Sequence, residues 1–323
     1  MNRRNFNRLA LAATATFAAG GAHAQFDRPL SLVVGYSAGG SADFTARVVG
    51  EALAKRLGRP VVVENVAGAS GMLAVQRVLN APADGSLIYM AGTDTVAVPV
   101  VNPRVKHNWA KDFAMVGRMT TVPMVFAVPA DSPYNSLAAL MADLRKKGND
   151  GFSYATPGVG TMQHFYGALI NKHGNVQMLH IPYKGGSQIA NDLVGHQVHS
   201  AVLVLSTALP FIKDGKIKAI SLSDDTRVPQ LPNVKPIGQE EGFKGVSLPL
   251  WQGLMVKAGT PPAIVAGYEK ALLDVLTQPD VRQRLADGGI TTAPMTGEQL
   301  RAFIAPQAQL YRDIVTSAKI TVE

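Results

Sequence analysis

The chain of 323 residues contains no cysteine, which excludes disulfides, thiolate catalysis, cysteine metal sites and a lipid anchor carried on a signal-peptide cysteine. Nowhere do 18 consecutive apolar residues occur, so no segment reads as a membrane-spanning helix. Internal repeats and low-complexity tracts are missing too, which argues against a solenoid or a disordered chain. Charged residues make up only 17% and aromatics 7%. No Lys/Arg run with interleaved aromatics marks a nucleic-acid surface, so no nucleic-acid partner is expected.

What is present is ordinary globular composition, 47% hydrophobic, in a chain long enough for two domains. Residues 1–24 stand apart: Arg3, Arg4 and Arg8 form a basic start, Leu9 to Ala19 is a short apolar run, and Ala22-His23-Ala24 is an A-x-A cleavage signal. This reads as an export signal cleaved near Ala24. Arg3-Arg4-Asn5-Phe6 also resembles a twin-arginine motif, so Sec and Tat export both stay open. The signal holds three of the 31 basic residues and none of the 23 acidic ones, so the mature chain keeps a modest positive excess of five. A mild positive field favours anionic small molecules.

Leu30 to Val34 reads as a buried strand, 42–57 as a helix, Val61 to Val63 as a strand, 71–79 as a helix and Leu87 to Met90 as a strand. That order implies a parallel sheet with right-handed crossovers. A polar, proline-containing stretch from Pro99 to Asp112 interrupts it. A second series follows, with strands at Val122–Val128, Phe152–Ala155, 178–181, 198–204 and 217–222 and helices between them. A Pro-rich connection at 229–236 leads to a strand at Gln252–Val256 and three helices, 261–277, 279–287 and 296–317. The expected fold class is α/β: two lobes, each a mainly parallel sheet flanked by helices, around a ligand cleft. The helical tail is expected to pack on the first lobe. The expected domains are 1–24 as signal, 25–122 plus 226–323 as lobe 1, and 123–225 as lobe 2.

The segment Gly35-Tyr36-Ser37-Ala38-Gly39 matches the G-x-S-x-G nucleophile elbow of a serine hydrolase. Against a nucleophilic Ser37 stand its place after the first strand of the mature chain and the lack of an upstream oxyanion loop. Read as backbone chemistry, Gly39 and Gly40 allow close approach to a ligand, Ser41 is a candidate N-cap, and the following helix aims free N–H groups and its positive dipole end at the loop. A second such arrangement lies in the other half: Thr156, Gly158, Val159 and Gly160 precede Thr161 as a candidate cap, with His164 in the first helical turn. Two loops, one per lobe, suit an anion held from both sides. Neither is a dinucleotide fingerprint or a P-loop, because Gln163 replaces the third glycine and no G-K-[ST] follows. Asp43 in the first turn of helix one complements the dipole or faces the ligand. His196 and His199 have H-x-x-H spacing without a placed carboxylate, so packed or solvated histidines are expected and no metal site or cofactor. Trp251 reads as core.

Taken in order, these segments resemble the substrate-binding proteins of tripartite tricarboxylate transporters, the Bug-type family. The matching stretches are residues 33–43, Pro60 to Asn65, Ala81 to Gly85, Gly158 to Thr161 with His164, Ile181 to Gly186, Asp192 to Gly195 and Ala258 to Pro262. The resemblance implies a monomeric two-lobed receptor in the periplasm, not an enzyme, closing on a small carboxylate and delivering it to integral-membrane permease subunits. A role as an extracytoplasmic sensor stays open beside transport. By the resemblance, the backbone from Ser37 through Ala38 to Ser41, and from Gly158 to Thr161, holds the carboxylate, and Tyr36 beside it is an expected ligand-binding residue. Asp43 matches the family's loop aspartate, and Asp94, Thr95 and Ser206 fall at positions that shape selectivity. Here Gly35-Tyr36-Ser37-Ala38 stands where the family usually has Pro-Phe-Pro-Pro. Asp94, unusual beside an anion, is expected to favour an amine, amide or hydroxyl on a monocarboxylate.

Overall fold

The structure is a computed structural model that describes residues 29–148, 151–224, 228–244, 246–248 and 250–318; the expected export signal lies outside them. β1 (Leu30–Val34) is buried along nearly its whole length, as a strand with parallel neighbours on both sides requires. It feeds α1 (Ser41–Leu57), which stops where Gly58 turns left-handed at φ 68° and returns its N–H to Ala54. β2 (Val61–Asn65), a 3-10 turn at Ala69–Gly71, α2 (Met72–Leu79) and β3 (Leu87–Gly92) follow, with β1 parallel to both β2 and β3.

α3 (Thr93–Val101) runs on into the stretch from Pro99 that was expected to be irregular. Pro99 lies inside it and has no N–H for the Thr95 carbonyl one turn back. His107 Nε2 bonds that carbonyl at 2.8 Å instead, so a side chain from the next loop repairs the helix. After one turn, α4 (Trp109–Asp112), β4 (Phe113–Val122) runs almost directly into β5 (Met124–Pro129). The two strands belong to different sheets, with Pro123 alone at the crossing.

The second lobe continues with α5 (Leu137–Lys147), β6 (Ser153–Thr156), α6 (Met162–Gly174) and β7 (Leu179–Pro182). α7 (Gly186–Val194), β8 (Ser200–Val204), α8 (Leu205–Lys213) and β9 (Ile217–Leu222) complete it. The chain returns to the first lobe through β10 (Leu250–Lys257), α9 (Pro262–Leu276), α10 (Pro279–Asp287), β11 (Thr291–Thr296), α11 (Gly297–Ile304) and α12 (Gln307–Ala318).

The sheet orders are β11-β4-β10-β3-β1-β2 and β7-β6-β8-β5-β9. Both are mixed where mainly parallel sheets were expected: β10 runs antiparallel to β3 and β4, and β5 antiparallel to β8 and β9. The cause is the crossing of the chain between lobes, which enters each sheet against its βαβ strands. Ser223 ties the two crossings together, accepting the Met124 N–H on Oγ at 3.1 Å and the Leu248 N–H on its carbonyl at 2.9 Å. The expected helix 296–317 is two helices, split before Pro306. α9, α10 and α11 pack on first-lobe elements as expected, whereas α12 bridges α3 and α6, with Tyr311 against Phe165 at 6.0 Å between centroids.

Candidate functional site

The first loop leaves β1 at Gly35, where a Cβ would lie 2.8 Å from Gly71 Cα, so the close approach of two backbones demands glycine. Gly39 is left-handed at φ 80°. The N-cap of α1 is Gly40, not Ser41: the chain enters the helix one residue early, and Ser41 is its first helical residue. The Ser41 N–H reaches across to Thr207 Oγ1 in the second lobe at 3.1 Å, and Ser41 Oγ accepts from Gln252 Nε2 at 3.4 Å. Among the described residues the N–H groups of Gly40 and Ala42 have no hydrogen-bond partner. They stand at the positive end of a helix of 17 residues, the usual receptor for an anion. Asp43 turns away from the cleft into its own loop, accepting from Gly39 N at 3.0 Å and Arg47 Nε at 2.9 Å. Burial opposes its ionisation, but the Arg47 pair and the Gly39 N–H outweigh this and hold its carboxyl below the ordinary value.

The second loop is built to the same plan, and most of its donors are taken by the protein: the N–H groups of Gly158, Gly160, Thr161, Met162 and His164 have protein acceptors, while those of Val159 and Gln163 have none among the described residues. Thr161 is the N-cap of α6 as expected, its Oγ1 accepting the His164 N–H at 3.3 Å. The Gly160 N–H donates to His164 Nδ1 at 3.1 Å. His164 stacks on His180 with ring centroids 4.0 Å apart and planes 8° apart. His180 Nε2 pairs with Thr156 Oγ1 at 2.6 Å. Burial lowers the His164 pKa to about 3, with His180 adding to the shift, and burial lowers His180 to about 4. Both rings are neutral at neutral pH, and His164 uses Nδ1 as an acceptor inside the loop.

Asp94, in the first turn of α3, joins the two lobes. Its Oδ1 accepts the Met162 N–H, the first of α6, at 2.8 Å, and its Oδ2 accepts the Tyr36 hydroxyl. Burial raises the Asp94 pKa to about 6 against the downward pull of these two donors, and burial with the facing carboxylate pushes Tyr36 well above its usual value. A carboxylate therefore already sits at the start of α6.

Between the lobes lies a cleft lined by Tyr36, Gly40, Ser41 and Asp94 of the expected residues. Its other walls are the apolar Met90, Leu203, Val204, Leu250 and Trp251, with Thr93, Gln163, Thr207 and Gln252 as further polar groups. Among the described residues no Lys, Arg or His lines it. Gln163 is 5% exposed and its amide oxygen is buried without a hydrogen-bond partner. The sequence marks Gln163 only as the residue that breaks the dinucleotide fingerprint, although its place just after a helix cap next to a glycine loop is a usable signal for a ligand contact. Trp251 is core, as expected, and also borders the cleft.

Other expected residues meet at the lobe junction or behind the loops. Ser37 faces Gly185, where a Cβ would come within 3.0 Å of its Oγ, and the Ala38 carbonyl accepts from Ser187 Oγ at 3.1 Å. Gly158 packs on Ser70, whose Oγ donates to the Val159 carbonyl at 2.8 Å. Thr95 Oγ1 accepts the Gly92 N–H at 3.2 Å at the start of α3. Ser206 Oγ is buried without a partner, one residue from Thr207. His199 accepts from Ser153 N at 3.2 Å while the exposed His196 stands 3.5 Å from Asp131, so the H-x-x-H pair diverges. Among the described residues no cluster of three or more His, Asp or Glu side chains is placed to hold a metal, and no helix is long and apolar enough to cross a membrane.

The profile of the tripartite tricarboxylate transporter family receptor matches residues 45–320. A protein of Pseudomonas sp. (strain P51), described as the UPF0065 protein in the tcbD-tcbE intergenic region, is 31% identical over 294 residues, 91% of this chain and 87% of its own. The solved structure of the periplasmic binding protein BugD superposes with a TM-score of 0.87 at 29% identity, covering 92% of this chain and 99% of that one. MatC from Rhodopseudomonas palustris with bound malate gives 0.83 at 28% identity, covering 89% and 99%. With this fold, a cleft between two lobes and a family match over most of its length, the chain belongs to the tripartite tricarboxylate transporter receptors, the Bug-type substrate-binding proteins.

Proposed function

We propose that this chain is a periplasmic solute receptor that captures a small carboxylate between its lobes and hands it to integral-membrane permease subunits, without catalysis and as a monomer. The observation that carries the reading is the pair of unpartnered N–H groups, Gly40 and Ala42, at the start of α1 beside a cleft that the two lobes enclose. A ligand carboxylate there accepts charge-assisted hydrogen bonds and sits on the positive end of the dipole. Tyr36, Ser41, Thr207 and Gln163 surround the rest of the molecule. The lobes are 25–122 with 226–323, and 123–225, moving about Pro123 and Ser223. The malate in MatC supports a carboxylate as the class of ligand.

The test is mass spectrometry of whatever co-purifies with the protein, followed by thermal denaturation with a panel of carboxylates. A ligand at about 100 times its Kd adds about 2.7 kcal/mol of stability, a shift that is easily measured. A panel of small carboxylates that leaves the melting temperature unmoved at millimolar concentration overturns the reading.

A further inference from the structure

The two helix starts that face the cleft differ in what they still offer a ligand. At α6 the Met162 N–H is taken by Asp94, the His164 N–H by Thr161 and the Gly160 N–H by His164. At α1 the Gly40 and Ala42 N–H groups are unpartnered. At α6 the Gln163 N–H also lacks a partner among the described residues, but the Asp94 carboxylate already occupies that helix start, so of the two starts it is α1 that stays open to a ligand anion. Among the described residues no cationic side chain lines the walls to neutralise a second charge on a ligand. The remaining unmet demand is neutral: Gln163, 5% exposed and on the cleft wall, has an amide oxygen with no donor to satisfy it. A buried acceptor of this kind asks for an N–H or O–H from the ligand.

We propose that the ligand is a monocarboxylate whose remaining body is uncharged, largely apolar and carries one hydrogen-bond donor for Gln163, and that Asp94 excludes dicarboxylates. This rests on the receptor reading above and narrows it. The ligand carboxylate sits on Gly40 and Ala42. The body lies along Met90, Leu203, Leu250 and Trp251. A second carboxylate at that wall would face the Asp94 carboxylate, and like charges repel in a partly enclosed cleft. Above about pH 6 Asp94 is ionised, so the repulsion operates at neutral pH. A neutral amide or hydroxyl at the same place meets no such charge and satisfies Gln163.

The experiment is calorimetry and thermal denaturation at pH 7.5 with matched probes: hexanoate, adipate and adipic acid monoamide, then benzoate, terephthalate and 4-carbamoylbenzoate. In the wild type the monoamide of the better-fitting series binds at least tenfold more tightly than its dicarboxylate. Asp94→Asn narrows that ratio by about tenfold, and Gln163→Leu weakens the monoamide selectively while leaving the plain monocarboxylate within about threefold. A wild-type protein that binds the dicarboxylate as tightly as the monoamide overturns the proposal and leaves the receptor reading standing. An unchanged ratio in a folded Asp94→Asn protein overturns it too. If none of the six probes binds the wild type or either variant at 10 mM concentration (a value on the order of the weakest useful affinities), the receptor reading itself fails and this inference with it.

Discussion

Asp94 of the first lobe accepts a 2.8 Å hydrogen bond from the backbone N–H of Met162, the first residue of α6 in the second lobe. A carboxylate at a helix start is favoured by the dipole and by a donor that has no partner within the helix. Burial works the other way and dominates, raising the Asp94 pKa to about 6. The same bond therefore ties the lobes together and carries a cost that depends on pH.

That cost predicts a pH-dependent stability difference between the wild type and Asp94→Asn. The folded pKa of about 6 lies above the ordinary value of 3.8, so between these values the folded protein holds a proton that the unfolded chain has released. The stability contributed by protonation is complete below the unfolded value and is lost as pH rises through about 6. Tyr36, Tyr89 and Tyr311, which surround Asp94, are all raised above their usual values and stay neutral over this range. From about pH 4 to about pH 7.5, the wild type should lose stability relative to Asp94→Asn, followed by denaturant midpoints. A constant difference across that range contradicts the assignment.

The stacked pair His164 and His180 predicts the opposite slope. Their folded pKa values, about 3 and about 4, lie below the ordinary value of 6.5, so the unfolded chain takes up protons that the folded protein refuses. Their contribution is present above pH 6.5 and is lost as pH falls toward these folded values. Replacing His164 by Asn keeps an acceptor for the Gly160 N–H and removes one of the titrating rings. The variant should therefore show a smaller acid-induced fall in melting temperature than the wild type, read against its own value at neutral pH. An identical fall in both proteins excludes the pair as a source of acid sensitivity.

The loops themselves were legible because their causes are local. A strand, a glycine pair and a helix start are adjacent in sequence, and Thr161 takes the cap role that its type and place suggest. The cap of α1 slipped to Gly40 because Ser41 bonds across the cleft to Thr207, a partner 166 positions away. Asp94 stood out as a charge near an anion site, but its partner Met162 is 68 positions on, and nothing in the sequence ties the two. Helix α3 was hidden by Pro99, whose missing N–H is answered by His107. Strand β11 was hidden by Pro294, which an edge strand tolerates where its register slips between Thr292 and Met295.

Ser37 offers a prediction that separates backbone binding from nucleophilic chemistry. Its side chain lies against Gly185 at the lobe junction, and among the described residues no histidine hydrogen-bonds to its Oγ. Ser37→Ala removes one hydroxyl without touching the Gly40 and Ala42 N–H groups. Affinity for a bound carboxylate should change by no more than about threefold, the scale of a substitution outside the main contacts. A loss of ester hydrolysis in the variant, measured with p-nitrophenyl acetate against the wild type, would instead restore Ser37 as a nucleophile.

Gly158 predicts how closely the lobes must approach. Its φ is 144°, a conformation that residues with a side chain rarely adopt, and a Cβ there would lie 2.4 Å from Ser70 Oγ of the first lobe. Ser70 cannot simply retreat, because its hydroxyl donates to the Val159 carbonyl at 2.8 Å and its own backbone is left-handed at φ 54°. Gly158→Ala therefore strains the second loop and pushes the two lobes apart at the same point. Overpacking of this kind costs about 1–3 kcal/mol; the clash with Ser70 falls on the closed arrangement, while the strain of φ 144° is carried by the loop in either. The expected outcome is a larger radius of gyration by small-angle X-ray scattering and weaker ligand binding, with a melting temperature that falls less than the affinity does. Ser70→Gly combined with Gly158→Ala removes the clashing hydroxyl and should recover part of the affinity. If Gly158→Ala binds and scatters like the wild type, the loops do not need this contact to close.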